Sequence, residues 1–247
     1  MSGRGDELLL LRASSGVVDQ SSNGNDGVFG GGMGVSGGEF VFGGSPQKIS
    51  CPYIALGSAF TVSCWFKQTV DAGSASYLIA QDTGSTRNFI LRTLTSGSFV
   101  GLSLIVWDTS GVAYTAQVLN LNYLADGLLH LVTGVSDGTN LILYYDGVAV
   151  ATVGGTSSPR SLSTATTIGV KVSSNYFLGS MRDIRLFGSA LSSSDVWTIY
   201  NGGSPGYDLG SSSAGGSGSA ASVNGSILRR RYRHRALRAT LRGSVDS

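Results

Sequence analysis

The sequence is poor in charge and in the residue types on which most enzymes depend. Asp, Glu, Lys and Arg make up 13% of the 247 residues, about half the usual share. The only glutamates, Glu7 and Glu39, lie on separate segments, whereas glycoside hydrolysis needs two carboxylates flanking one bond. Two histidines and two cysteines form no cluster of zinc ligands. We therefore predict a protein without catalytic residues, metal or other cofactor.

Cysteine and long apolar runs are also scarce. Cys51 and Cys64 are too few for a disulfide scaffold. Because both lie in apolar, strand-like segments, we predict buried free thiols, with one disulfide as the alternative. The apolar run at residues 8–11 is too short for a signal sequence or a membrane span. We expect a protein made and kept inside a cell, or released by lysis.

What the sequence has instead is glycine and short apolar segments that alternate with polar residues. Residues 60–67, for example, place Phe60, Val62, Cys64 and Phe66 on one side, as a strand does. Asp-Gly pairs at 137–138 and 146–147 are typical of hairpin turns. The predicted strands are 8–13, 39–42, 48–51, 60–67, 77–81, 88–93, 99–108, 113–120, 129–136, 141–145, 148–153, 166–170 and 177–187.

One short helix and a basic tail complete the pattern. Residues 192–200 read as a helix with Ser192 or Ser193 as its cap and Gly202 after its end. We predict a sandwich over 1–207, a Gly/Ser linker over 208–226 and an anchor over 227–247. Residues 228–247 carry a net charge of +6 and the other residues a net charge of −4. The anchor's arginines are Arg229, Arg230, Arg231, Arg233, Arg235, Arg238 and Arg242.

Four segments, in order, resemble the laminin-G-like group of the concanavalin A-like lectin/glucanase superfamily. The first is SNGNDG (22–27) and the second is FTVSCWF (60–66). The third is DGLLHLVTGVSDGTNLILYYDG (126–147), and the fourth runs from 179 to 191 with IYN at 199–201. The resemblance implies an all-β fold, an antiparallel β-sandwich of the jelly-roll type. The group includes glycan-binding domains, adhesion modules and virion-surface proteins.

The chain departs from this group at the position of a structural calcium ligand, which is Arg182 here. Arg182 shares strand parity with Ile184 and Leu186, so it is expected to point into the former metal site, paired with Asp26 or Asp19. The alternative is an Arg182 that leans into solvent. We predict no calcium. His130, at the group's usual histidine position, is expected to be packed and hydrogen-bonded rather than a base.

Binding is the function that remains. Trp107, Tyr114, Arg87 and Asn88 lie at predicted strand ends or loops and are candidate glycan contacts, since sugar sites combine aromatic rings with a few polar groups. The alternative is that these aromatic residues, like Trp65, fill the core or a subunit contact.

Three hypotheses follow for the whole chain. The first is a structural surface module of a large assembly, above all a viral or phage virion, made in the host cytoplasm and held by the arginine-rich tail. The second is a lectin-like module for attachment to glycans. The third is a nucleic-acid-associated protein acting through its tail. The expected partners are neighbouring subunits, including copies of the chain in a homo-oligomer, and a surface glycan.

Overall fold

The computed structural model describes residues 5–68, 75–96, 99–121, 124–171 and 174–202. The chain divides into two units, Met1–Tyr207 and Asp208–Ser247, and all described residues belong to the first. The predicted linker 208–226 and anchor 227–247 lie outside the described residues. Within the described part, no helix is long and apolar enough to span a membrane.

Among the described residues, fifteen strands and one α-helix form an antiparallel β-sandwich. The strands are β1 Glu7–Leu11, β2 Val28–Gly30, β3 Gly34–Ser36, β4 Glu39–Gly43, β5 Lys48–Cys51, β6 Phe60–Lys67, β7 Tyr77–Asp82, β8 Arg87–Ser96, β9 Phe99–Trp107, β10 Ala113–Leu119, β11 His130–Ser136, β12 Asn140–Tyr145, β13 Val148–Gly154, β14 Thr166–Ile168 and β15 Leu178–Phe187. The helix is α1, Ser193–Tyr200.

The strands form two sheets. The eight-stranded sheet has the order β13-β12-β11-β6-β15-β4-β3, with β1 also paired to β15. The seven-stranded sheet has the order β10-β9-β8-β7-β14-β5-β2. The predicted fold class is therefore confirmed, and all thirteen predicted strands are present with ends shifted by up to three residues.

The core lies between the sheets and follows the predicted alternation. On β6, Phe60, Val62, Cys64 and Phe66 are completely buried. Gly134 on β11 marks a close approach of the sheets, because a Cβ there would lie 2.7 Å from Leu104 Cδ2 on β9. The glycine thus makes room for a leucine of the facing sheet.

Helix α1 covers part of the outer face of the eight-stranded sheet. Ser192 caps the helix in a capping box with Asp195, and Gly202 follows with φ 85°, as predicted. Trp65 lies on the outer side of β6 and stacks on Tyr200 at 5.8 Å between ring centroids. This layer explains why β6 is buried on both faces, although its pattern predicts one buried face.

The turns follow their sequence signals. Asp146 and Gly147 both have positive φ (48° and 80°) and join β12 to β13, as an Asp-Gly hairpin turn requires. In the loop after β1, the Asp19 carboxylate accepts hydrogen bonds from the backbone amides of Leu10, Ser21 and Asn25 at 2.9 Å. Cys51 and Cys64 are buried free thiols, which confirms the prediction.

Candidate functional site

A cluster of basic side chains lies on and beside the outer face of the seven-stranded sheet. On β8 and β9 the core side chains, such as Phe89 and Leu104, alternate with residues of the opposite face. That opposite face carries an apolar cluster of Tyr77, Ala80, Ile90, Ile105 and Trp107. We call the four cations around this cluster the basic face; they are Arg87, Arg92, Arg160 and Lys171.

One end of the basic face is built on Trp107. The Arg87 guanidinium carbon lies 5.6 Å from the centroid of the Trp107 ring, within the range of a cation–π contact. Arg87 Nε lies 3.5 Å from Asp82 Oδ1, and the Asp82 side chain is completely buried while that of Arg87 is 39% exposed. Asp82 and Trp107 therefore hold Arg87 from below and leave part of the guanidinium at the surface.

Arg160 lies beside Arg87. Its backbone amide donates to the Trp107 carbonyl at 2.9 Å, and its Nε donates to the Arg87 carbonyl oxygen. Arg160 forms no ion pair with a described residue. Arg87 and Arg160 are thus held side by side at one end of the sheet, and Arg87 also contacts the buried Asp82 carboxylate.

The other end of the basic face is built on Tyr77. The Arg92 guanidinium carbon lies 6.0 Å, and Lys171 Nζ 5.8 Å, from the centroid of the Tyr77 ring. Neither cation forms an ion pair with a residue that the structure describes. Arg92 follows Arg87 by five residues on β8, which corresponds to about 16 Å along a strand.

The structure brings two of the four predicted glycan contacts together. Arg87 and Trp107 touch, but Tyr114 pairs with Val106 of the core and so lies on the opposite side of the sheet from Trp107. Its hydroxyl donates to Asp108 Oδ2 at 3.3 Å. Asn88 is completely buried and exchanges hydrogen bonds with the backbone of Leu162, so it supports the loop beside Arg160 rather than facing solvent.

The sequence did not reveal a second feature, a depression on the outer face of the eight-stranded sheet. We call it the depression; it is about 610 Å³ in volume and is lined by Ser36, Gly37, Glu39, Val41, Phe42, Gly43, Lys67, Leu178, Gly179 and Ser180. At its base Lys67 Nζ lies 2.8 Å from Glu39 Oε2. The Ser180 hydroxyl donates to the same oxygen.

Glu39 is held as a carboxylate. Burial acts to raise its pKa, but the hydrogen bonds from Lys67 and Ser180 and the charges of Lys67 and Arg182 outweigh burial and lower it. The base of the depression is charged, whereas its two walls are apolar. The walls are Val41 and Leu178, which are 40% and 36% exposed.

The expectation that Arg182 points into a former calcium site is wrong. Asp183, with φ 46°, forms a bulge between Arg182 and Arg185, and an extra residue reverses the parity that we assumed. Arg182 faces Trp65 across the pairing with β6 and lies 5.5 Å over its ring. Asp19 and Asp26 instead accept backbone hydrogen bonds within their own loop.

The residues present do not fit calcium at this position. Hard cations such as calcium need six to eight oxygen ligands, and Asp183 instead lies 3.3 Å from Arg12 Nε. Within the described ranges, no three Asp, Glu, His or Cys side chains converge on a point that could hold a metal ion.

His130 and Glu7 serve the structure. His130 is 4% exposed and lies 2.9 Å from Asp146 and 3.2 Å from Asp126, which confirms it as a packed, hydrogen-bonded residue. Glu7 is buried and lies 3.4 Å from Arg185. Each of the two glutamates is thus paired with a cation, Glu7 with Arg185 and Glu39 with Lys67.

These features define a lectin-like β-sandwich of the jelly-roll type. The chain belongs to the Laminin_G_3 family of the concanavalin A-like lectin/glucanases superfamily, whose model matches residues 42–197. No curated protein shows a significant match to the chain.

Solved structures show the same fold at low identity. The receptor binding domain of botulinum neurotoxin D is similar at a TM-score of 0.63 and 17% identity over 80% of this chain and 53% of that one. The binding domain of botulinum neurotoxin DC in complex with SialylT gives 0.61 and 15%, covering 80% and 51%. The binding domain of Paraclostridial Mosquitocidal Protein 1 gives 0.60 and 14%, covering 80% and 52%. The chain spans about half the length of these structures.

Proposed function

We propose that the chain is a non-catalytic carbohydrate-binding module whose basic face binds the acidic groups of a glycan. The observation that carries this proposal is the gathering of Arg87, Arg92, Arg160 and Lys171 around two aromatic rings. The sequence outside residues 228–247 has a net charge of −4. The basic face is therefore a positively charged surface on a part of the chain whose net charge is negative. A local field of opposite sign attracts anionic ligands.

The geometry of Arg87 suits the recognition of an oxyanion. A guanidinium that stacks on an aromatic ring keeps its edge available, and that edge matches carboxylate or sulfate oxygens with two parallel hydrogen bonds. Trp107 and Asp82 both contact the Arg87 guanidinium, and Arg160 adds a second cation beside it. The role of Trp107 in this proposal is to position Arg87 as well as to contact the sugar.

The absence of catalysis is part of the proposal. Glycosidases need two carboxylates that are free to act as acid and as base or nucleophile. In the described part of the chain the two glutamates are engaged by Arg185 and by Lys67. The similarity to binding domains supports the same view.

The proposal is tested with matched pairs of acidic and neutral oligosaccharides, such as sialylated or sulfated glycans and their unmodified counterparts, by titration calorimetry. We expect binding of the acidic member, weakened by salt, and at least about a tenfold loss of affinity in Arg87→Gln/Arg160→Gln. The control Arg12→Gln/Lys48→Gln removes the same charge elsewhere and keeps affinity. Equal binding of both members, or an unchanged double variant, would rule out the basic face.

A second proposal concerns where the module is displayed. The charge asymmetry between residues 228–247 (+6) and the rest of the chain (−4) supports an anchor that docks on an acidic surface of a large assembly, such as a viral or phage virion. Deleting residues 210–247 should leave the sandwich folded and abolish incorporation into the particle. Normal incorporation contradicts the anchor, and salt-dependent binding of a 227–247 peptide to DNA favours a nucleic-acid partner instead.

A further inference from the structure

We propose that the depression is a separate ligand site, specific for neutral, hydroxyl-rich ligands that present a hexose unit to the Glu39–Lys67 pair. This site lies on the outer face of the eight-stranded sheet, whereas the basic face belongs to the seven-stranded sheet. The proposal therefore does not depend on the binding of acidic glycans described above.

The base of the depression presents a hydrogen-bond donor and acceptor side by side. Lys67 uses one of its three N–H groups on Glu39 Oε2 at 2.8 Å, and its side chain is 34% exposed. Glu39 Oε1 has no hydrogen-bond partner among the described residues. Two neighbouring sugar hydroxyls can therefore donate to Glu39 and accept from Lys67 without breaking the ion pair, and hydrogen bonds to charged groups are the stronger ones.

The charges at the base disfavour ionic ligands. An anion would meet the Glu39 carboxylate, which Lys67 and Ser180 keep in its charged form. A cation would meet Lys67 and also Arg182, whose charge reaches Glu39. A hydroxyl group donates and accepts and so satisfies both members of the pair at once.

The walls and the free space match the other properties of a sugar ring. Val41 and Leu178 present apolar surface to the C–H side of a ring, as sugar sites combine apolar walls with a few polar groups. On the rim, a Cβ added to Gly37 would meet no atom within 4 Å. The rim is therefore open at this position.

The test uses NMR of the full chain with methyl-labelled valine and leucine, titrated with neutral hexoses (glucose, galactose and mannose) and with the corresponding uronic acids and hexosamines. We expect at least one neutral hexose to shift the Val41 and Leu178 methyl signals with a Kd of about 1 to 10 mM, which is typical of a few hydrogen bonds in an open site. Its charged counterparts should bind at least about tenfold more weakly.

Three variants locate the site. Glu39→Gln and Lys67→Met each remove one half of the donor–acceptor pair and should weaken hexose binding at least about tenfold. Ser36→Trp fills the opening from an exposed rim position and leaves the ion pair intact. It should weaken hexose binding even if one of the other two variants fails to fold. Lys48→Met, which removes a lysine outside the depression, should bind the hexose as the parent does.

Three results would each overturn the proposal. The first is that no neutral hexose moves the Val41 or Leu178 signals at concentrations of about 100 mM, well above the expected Kd. The second is that uronic acids or hexosamines bind as well as the neutral sugars. The third is that Ser36→Trp leaves the binding unchanged.

Discussion

His130 Nδ1 lies 2.9 Å from Asp146 Oδ2, and the other oxygen of the same carboxylate accepts the backbone amide of Leu131 at 2.9 Å. Asp126 approaches Nε2 of the same imidazole at 3.2 Å. The histidine therefore ties the start of β11 to the turn between β12 and β13. Through Gly147, the same turn packs against Trp197 and Tyr200 of α1.

This contact makes stability depend on pH. Burial disfavours the imidazolium, but the hydrogen bonds and charges of Asp146 and Asp126 outweigh burial and raise the pKa of His130 above 6.5. A raised folded-state pKa means that the stabilisation is fully present below pH 6.5 and is lost as pH rises through the folded-state pKa. We expect the free energy of unfolding to fall as the pH rises above 6.5, and the fall to be shallower in His130→Gln. An equal slope in both proteins would contradict this account.

Removing one member of the buried Glu7–Arg185 pair should destabilise the fold, because the other member is then left buried and unpaired. Burial raises the pKa of Glu7 despite the opposing charge of Arg185, and burial lowers the pKa of Arg185, so desolvation is incompletely offset. Arg185→Met should cost about 3 to 5 kcal/mol in urea unfolding because it leaves Glu7 alone.

The double variant Glu7→Leu/Arg185→Met should recover most of that loss, since an apolar pair has no desolvation cost. Arg12→Met, which removes the half-exposed pair with Asp183, should cost less than about 1 kcal/mol. A double variant as unstable as Arg185→Met would show that the ion pair itself is required.

Gly134 sets the spacing of the sheets. Gly134→Ala should destabilise the fold by about 1 to 3 kcal/mol because the new methyl group overlaps Leu104. Combining it with Leu104→Val should cost less than the sum of the single changes. Gly154→Ala, an exposed strand position with ordinary space for a Cβ, should change stability by less than about 0.5 kcal/mol. Additive losses in the double variant would contradict direct contact.

The two thiols should be unreactive in the folded protein. Burial and the charges of Asp19 and Asp26 raise the pKa of Cys51 to about 12, and burial raises that of Cys64. Since the thiolate is the nucleophile, a thiol-specific reagent should label both residues only on unfolding, while an exposed cysteine in Ser36→Cys reacts at once. Rapid labelling of the native parent would show that one thiol is accessible.

The local signals in the sequence were sufficient for most of the architecture. The alternation in β6 and the Asp-Gly turn before β13 depend on neighbouring residues only, and both were predicted. The strands β2 and β3 were missed because each has three residues, lies at a sheet edge and is largely exposed. A short edge strand buries too little surface to impose an apolar pattern.

Features that depend on long-range packing were predicted less well. The alternation of side chains along a strand does not predict the bulge at Asp183. Because of this bulge, Arg182 lies on the same side of the sheet as Trp65. The depression was missed because Glu39, Lys67 and Ser180 come from β4, β6 and β15, which are distant in sequence. The basic face was found in part, since Arg87 and Trp107 lie at strand ends, but Tyr77 and Lys171 join it only through the order of strands.

The basic face is tested most directly by NMR of the Trp107 indole N–H and the Arg87 and Arg160 Nε–H groups. The signals are followed during titration with an acidic oligosaccharide and its neutral counterpart. If the basic face binds acidic glycans, the acidic oligosaccharide shifts all three signals together, with a single Kd, and the neutral one leaves them in place. Shifts confined to other parts of the sandwich, or equal shifts with both glycans, would contradict it.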